Sequence, residues 1–274
     1  MTAFVWKEGL RGEIVVAGAG LEAMCWGPSP AEAPTIVLLH EGLGCVELWR
    51  DFPAKLSRAT GFGAFVYSRR GYGRSSPATL PLPVDYMQRE AVEILPRVLD
   101  AFGFRRGLLY GHSDGASIAA YYAGSVEDFR VRGLILEAPH FFTEDLGLAA
   151  IVAARDEFAE GGLKERMARY HRDAEATFRG WNDAWLNPEF KRWNITDAID
   201  HWRVPALLVQ GAQDQYGTPA QIREAELRAY SPVDVEILEN CRHSPHLEQP
   251  ERVLAIVADF CSRLQRIEAA EAER

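Results

Sequence analysis

A five-residue turn constrains this chain more than any other feature. Gly111-His112-Ser113-Asp114-Gly115 lies between the apolar run GLLY and the small-residue stretch ASIAAYYAG. Such a boundary requires a strand that reverses into a helix within a few residues. A turn this tight has no room for side chains at its flanks, which accounts for glycine at 111 and 115. It holds the residue between them on a strained backbone with its side chain presented outward. The helix N-terminus beneath offers unpaired N–H groups to any negative charge that forms there. Ser113 is therefore read as a nucleophile rather than an incidental serine in a glycine-rich turn.

The rest of the chain repeats the same alternation. EIVVAG and LEAMCW read as two strands joined by a glycine turn, a hairpin. TIVLLH, GAFVYS, RGLLYGHS, RGLILEAP, VPALLVQG and VEILEN read as six more. Helical spacing appears at Leu48, Trp49, Phe52 and Leu56, and across 85–102 with Val92, Leu95 and Leu99 on one face. It returns in TPAQIREAELRAY and from about Pro250 onward, with the tail RIEAAEAER as the frayed end of the last helix. Strands alternating with helices imply a mostly parallel eight-stranded sheet covered on both faces, an α/β fold with its site at the strand ends. From about 140 to 202 the rhythm breaks into helices with no buried strand. The expected organisation is a core of 1–139 and 203–274 with a helical cap, 140–202, inserted after the sixth strand.

Composition fits this reading. The chain has 274 residues, 47% of them hydrophobic, enough for one full core. A formal net charge of −9 disfavours nucleic acid as a partner. No apolar run reaches membrane-spanning length. The start MTAFVWKEGLRGE lacks the charged end and long apolar stretch of a secretory leader. Cys25, Cys45, Cys241 and Cys261 are scattered and form no CxxC, so reduced thiols in a cytoplasmic protein are expected. A small-molecule substrate and no cofactor are expected; nothing bears on oligomeric state.

A serine hydroxyl needs a base, and the base needs an orienting acid. Asp214 follows PALLVQG at a strand's end, where a carboxylate can reach the site, whereas Asp200 precedes that strand and falls at the wrong end. Only His243 and His246 follow Asp214. His243 is preferred because it lies nearer the strand end, with His246 set to pack locally against Glu248. Cys241, His243 and His246 lack a second ligand cluster, so no metal is expected. The oxyanion donors are expected at the N–H groups of Asp114 and of Gly42, with Glu41 in reserve.

LLHEGLG, YSRRGYGRS, GHSDG, GAQD and RHSPHLEQPE, in that order, resemble the α/β-hydrolase superfamily over nearly the whole chain. The resemblance implies a cofactor-free hydrolase whose catalytic histidine lies five residues before the glutamate of the HLEQPE-like stretch, which is His243. Two positions depart from the pattern. Glu41 stands where glycine usually follows the histidine, placing a carboxylate at the oxyanion loop. Ser68 stands where an aspartate is usual before RGYGRS. Arg69 and Arg70 are read as structural or surface residues rather than as ligands for a substrate carboxylate. Relatives that act on haloalkanes or epoxides use an aspartate nucleophile, so Ser113 argues against both. Esterases, lactonases, thioesterases, C–C bond hydrolases and some cofactor-free peroxidases or lyases remain.

Four of the seven tryptophans, Trp181, Trp185, Trp193 and Trp202, fall in or at the end of the cap. Most are expected to pin its helices, and a few to line an apolar pocket. Glu41, His140 and Phe141 are the candidate substrate contacts. The resulting expectation is cleavage of a small carboxylic ester, lactone or related acyl compound through an acyl-enzyme. The rivals are a C–C hydrolase of a diketone from aromatic breakdown, a lyase, and a ligand-binding protein with a nearly silent triad.

Overall fold

The computed structural model describes residues 4–272. The first three residues of the leader reading and the last two of the tail lie outside it. Eight strands form one sheet: β1 (Gly12–Val16), β2 (Ala19–Trp26), β3 (Thr35–Leu39), β4 (Gly63–Tyr67), β5 (Gly107–His112), β6 (Val131–Glu137), β7 (Ala206–Gly211) and β8 (Val233–Leu238). Their spatial order is β1-β2-β4-β3-β5-β6-β7-β8. The β1–β2 hairpin and the β2–β4 pair are antiparallel, and every other pair is parallel. Every residue of β3, β4, β5 and β7 is buried, as continuous apolar strands in a covered sheet must be.

Side chains alternate between two cores, one on each face. Val37, Leu39, Leu109, Leu134 and Leu208 point to one, and Ile36, Leu38, Tyr110, Ile135 and Val209 to the other. The helices of the core are α1 (Phe52–Thr60), α2 (Tyr86–Arg89), α3 (Leu95–Ala101) and α4 (Asp114–Ser125). Between β6 and β7 come α5 (Asp145–Glu160), α6 (Gly162–Met167) and α7 (Ala174–Trp185), then the 3-10 turns Pro188–Arg192 and Thr196–His201. After β7 follow α8 (Pro219–Arg228), α9 (Pro245–Glu248) and α10 (Pro250–Ala272).

The helical stretch over 85–102 differs from the expected face. A π turn, Glu90–Ile94, separates α2 from α3. The wider turn rotates the pattern, so Ala91, Leu95, Val98 and Leu99 are buried while Val92 is 40% exposed. The helix expected through Leu48, Trp49, Phe52 and Leu56 is likewise split: Val46–Trp49 is a 3-10 turn, and Arg50 at φ 53° breaks it from α1.

Register decides where the site lies. Leu39 pairs with Gly111, His112 with Glu137, Glu137 with Val209, and Gly211 with Leu238. The loops after β3, β5, β6, β7 and β8 therefore emerge along one edge. Among the described residues no helix is long and apolar enough to cross a membrane, and all four cysteines are buried and unpaired.

Candidate active site

The turn after β5 has the geometry its sequence requires. Ser113 sits at φ 53° and ψ −118°, immediately before α4. A Cβ on Gly111 would lie 2.2 Å from the carbonyl oxygen of Gly115, and one on Gly115 would lie 2.0 Å from that of Leu39. Both neighbours are backbone and cannot yield. The Ser113 N–H donates to the Glu137 carbonyl at 2.9 Å, which ties the turn to the end of β6.

Asp214 and His243 meet across the loops after β7 and β8. His243 Nδ1 donates to the Asp214 carboxylate, 2.8 and 2.9 Å from its two oxygens. The carboxylate also accepts from Gln210 Nε2 at 2.7 Å and from the Tyr216 N–H at 2.8 Å. Burial pushes the Asp214 carboxyl up, but its bonds to His243 and Tyr216 outweigh burial and hold it at about 2. With Nδ1 committed, Nε2 of His243 is the nitrogen left for chemistry. Ser113 and His243 line the same cavity of about 130 Å³, and no hydrogen bond joins their side chains. Neither the Asp114 N–H nor the Gly42 N–H has an acceptor among the described residues, and both residues line this cavity. Asp200, the discarded acid, pairs with Arg228 at the surface.

His246 corrects one expectation. It packs against Trp49 at 4.6 Å and Phe52 at 5.3 Å rather than against Glu248. Its Nδ1 donates to Glu137 Oε1 at 2.6 Å, and its backbone N–H donates to the same oxygen at 3.1 Å. Glu248 instead accepts from the N–H groups of Arg242 and Ser244. Glu137 ends the buried run Gly133–Glu137 of β6, and a carboxylate closing an apolar run signals a buried partner. Tyr110 donates to its other oxygen. Burial works against the Glu137 anion, yet His246 and then His112 hold its carboxyl at about 2. His112, Glu137 and His246 are the one group among the described residues with metal-ligand spacing. Hydrogen bonds to His246, to Tyr110 and to the His243 carbonyl already occupy Glu137 Oε1, Glu137 Oε2 and His112 Nε2, whereas His112 Nδ1 has no hydrogen-bond partner among the described residues.

His112 accounts for Glu41. Its Nε2 donates to the backbone carbonyl of His243 at 2.7 Å, and its Nδ1 faces the Glu41 carboxylate at 3.6 Å, an ion-pair distance. Burial disfavours the His112 cation, but Glu41, Glu137 and the His243 carbonyl together push it up to about 9. Glu41 is held well below the usual carboxylate range: burial opposes ionisation and the His112 charge overrules it. The loop carrying Glu41 is fixed from three sides. Arg69 donates to the carbonyls of His40 and Glu41, His40 donates to the Glu41 carbonyl at 2.7 Å, and His171 Nε2 donates to the Leu43 carbonyl at 3.0 Å. Arg69 is thus a buried staple, and Arg70 binds the Pro77 carbonyl; neither lines the cavity. Ser68, where an aspartate is usual, donates at 2.8 Å to Glu22, whose carboxylate arrives from β2.

The cavity walls are Leu43, Gly147, Ile151, Trp181, Trp185, Tyr216 and His140, with Glu41 and Asp114. Among the described residues no lysine or arginine lines it. Burial keeps the Asp114 carboxyl up against the pull of Arg69, and Tyr86 donates to it. His140 is buried, stacks edge-on to Trp185 at 5.3 Å, and is pushed down to about 3 by burial and then by His243, so it is a neutral imidazole. Phe141 is a correction: it is fully buried in the core against Trp202, away from the cavity. A neighbour in sequence points the other way because its N–H is held by Gln221 at 2.7 Å. Trp193 and Trp202 pin their segment, donating to Gln88 and to the Ala120 carbonyl. A larger groove of about 580 Å³ lies at the opposite end of the sheet, around Phe129, Arg132 and Leu264, with no paired nucleophile and base.

A sequence profile of the alpha/beta hydrolase family matches residues 36–256. Epoxide hydrolase 3 of Xenopus tropicalis is 21% identical over 92% of this chain and 78% of its own length. Epoxide hydrolase B of Mycobacterium tuberculosis is 32% identical over 39% of this chain and 29% of its own. Among solved structures, an enol-lactonase from Burkholderia xenovorans superposes with a TM-score of 0.73 at 20% identity, covering 92% of this chain and 100% of that one. Naproxen esterase from Bacillus subtilis superposes with a TM-score of 0.70 at 18% identity, covering 92% and 90%.

Proposed function

This chain belongs to the alpha/beta hydrolase family, and from that premise we propose that it is a serine hydrolase of small, neutral carboxylic esters or lactones. The observation that carries the reading is the bond from His243 Nδ1 to Asp214, beside a cavity that Ser113 shares with two backbone N–H groups unpaired among the described residues. In this reading Ser113 Oγ adds to the acyl carbonyl while His243 Nε2 takes its proton. The N–H groups of Asp114 and Gly42 receive the oxyanion. His243 returns the proton to the leaving group, and water activated by the same nitrogen releases the acid. Asp214 keeps the ring in the required tautomer and stabilises its charge.

Substrate size and charge follow from the walls. A cavity of about 130 Å³ is well below the range of about 300–1,000 Å³ typical for drug-sized ligands. An ionised Glu41 and the absence of any lining cation among the described residues disfavour anionic substrates. The segment 140–202 acts as a cap over this cavity through Gly147, Ile151, Trp181 and Trp185. The unpaired thiols suit a reducing compartment such as the cytoplasm.

Epoxide opening is disfavoured by the nucleophile. A serine oxygen that opened an epoxide would form an ether, which has no carbonyl for water to attack. The test is intact-mass labelling with a fluorophosphonate probe, followed by a panel of neutral esters, lactones, a carboxylated diketone and an epoxide. Labelling of wild type but not of Ser113→Ala, with turnover of neutral esters or lactones, is expected. Turnover confined to the diketone or the epoxide, or no labelling of folded protein, would overturn the reading.

A further inference from the structure

Trp181 differs from the other tryptophans of its segment. The indole N–H groups of Trp185, Trp193 and Trp202 donate at 3.0, 3.1 and 2.9 Å to Tyr86, Gln88 and Ala120. Among the described residues no acceptor takes the N–H of Trp181, although its side chain is only 6% exposed and lines the cavity with Ser113. The nitrogen is not among the fully buried atoms that lack a partner, so it keeps open surface as a free donor in a residue that lines the cavity. The Glu41 carboxylate of the same lining is engaged elsewhere. Glu41 is folded back so that its oxygen would sit 2.1 Å from a Cβ on Gly44, and it faces His112. The indole nitrogen lies where a Cβ of Gly42 would be, 2.0 Å from that point. Glycine at 42 therefore does more than free a backbone N–H for the oxyanion: it admits this nitrogen beside it.

We propose that Trp181 is a specificity-determining residue whose indole N–H binds a second acceptor atom on the acyl part of the substrate. The preferred substrates are then small neutral acyl compounds that carry an ether, keto or hydroxyl oxygen in addition to the scissile carbonyl. The proposal rests on the hydrolase reading above. The acyl side is indicated by position. The leaving group must lie by His243, whose ring is flanked by His140 and Tyr216, at 5.7 and 4.7 Å. Trp181 instead borders the oxyanion loop at Gly42. A site built around a hydrogen-bond donor discriminates strongly against an analogue that lacks the acceptor, because the buried donor is then desolvated for nothing. The remaining wall, Leu43, Ile151 and Trp185, supplies apolar contact.

Isosteric ester pairs test this: p-nitrophenyl butyrate against methoxyacetate, and pentanoate against 3-methoxypropanoate, each exchanging one methylene for an oxygen. Intrinsic reactivity differs within a pair, so the quantity read is how the ratio of kcat/KM changes between wild type and Trp181→Phe. Both esters should lose activity in the variant, and the oxygenated one should lose at least about tenfold more. Equal losses on both would reduce Trp181 to packing and overturn the proposal. If wild type hydrolyses no ester, the hydrolase reading fails, and a second measurement still decides this one. In ¹⁵N-labelled Ser113→Ala, the Trp181 indole N–H resonance should move downfield with methyl methoxyacetate and not with methyl butyrate. The same response to both esters, or to neither, overturns the proposal and needs no folded Trp181 variant.

Discussion

His112 Nε2 donates to the backbone carbonyl of His243 at 2.7 Å. The residue preceding the nucleophile in sequence thus holds the loop that carries the proposed base, 131 residues away. Glu41 completes the strap at 3.6 Å from the other ring nitrogen. The carboxylate that departs from the family pattern at 41 thus faces the buried ring that holds the His243 loop.

Loosening that strap should slow chemistry more than it weakens binding. Glu41→Gln and His112→Asn should each lower kcat by about 10- to 100-fold, with KM changed by less than about threefold, since a displaced base costs rate in the transition state. Steady-state kinetics on a neutral ester checks the split. A KM effect alone would make Glu41 a substrate contact instead.

The two histidines of the β8–α9 loop should separate cleanly. His243→Ala and Ser113→Ala should each lower kcat by at least about 10⁴-fold while the folded protein keeps its melting temperature within a few degrees. His246→Ala should instead unfold early, because it removes the side-chain partner of the buried Glu137 carboxylate and opens a gap beside Trp49 and Phe52, at a cost of about 2–4 kcal/mol. Thermal melts beside activity assays distinguish them; an inactive but fully stable His246→Ala would reverse the assignment of the base.

Stability should depend on pH from both ends. The folded value of His112, about 9, lies above the ordinary histidine value of about 6.5. Its cation therefore contributes fully below about pH 6.5, and the contribution is lost as pH rises through about 9. Asp214 and Glu137, held at about 2, contribute above about pH 4 and lose that contribution as pH falls toward about 2. Melting temperatures across this range should fall on both sides, and Glu41→Gln should flatten the alkaline side.

Glycine substitutions should report on two different neighbours. Gly115→Ala places a methyl 2.0 Å from a backbone oxygen and should cost more than about 3 kcal/mol or prevent folding. Gly42→Ala meets the Trp181 indole, which can shift with its helix, so the fold should survive at a cost of about 1–3 kcal/mol. Denaturant titrations compare the two.

The sequence alone determined the strand–turn–helix at Ser113 and the succession of strands. These are local matters. Glycine at 111 and 115 is dictated by the space within one turn, and strand or helix by the period of apolar residues. The π turn that exposes Val92 leaves no mark in the sequence, because one extra residue per turn does not change the residue types it uses. The tertiary structure alone decided the pairings: His246 with Glu137, Glu41 with His112, His171 with Leu43, and Trp181 over Gly42. Their partners lie 71 to 139 positions apart and meet only because parallel register brings five loops to one edge and lays the 140–202 helices upon it. Side-chain direction at such distances depends on burial and on which neighbour holds the backbone. His140 therefore faces the cavity, whereas Phe141, with its N–H taken by Gln221, enters the core.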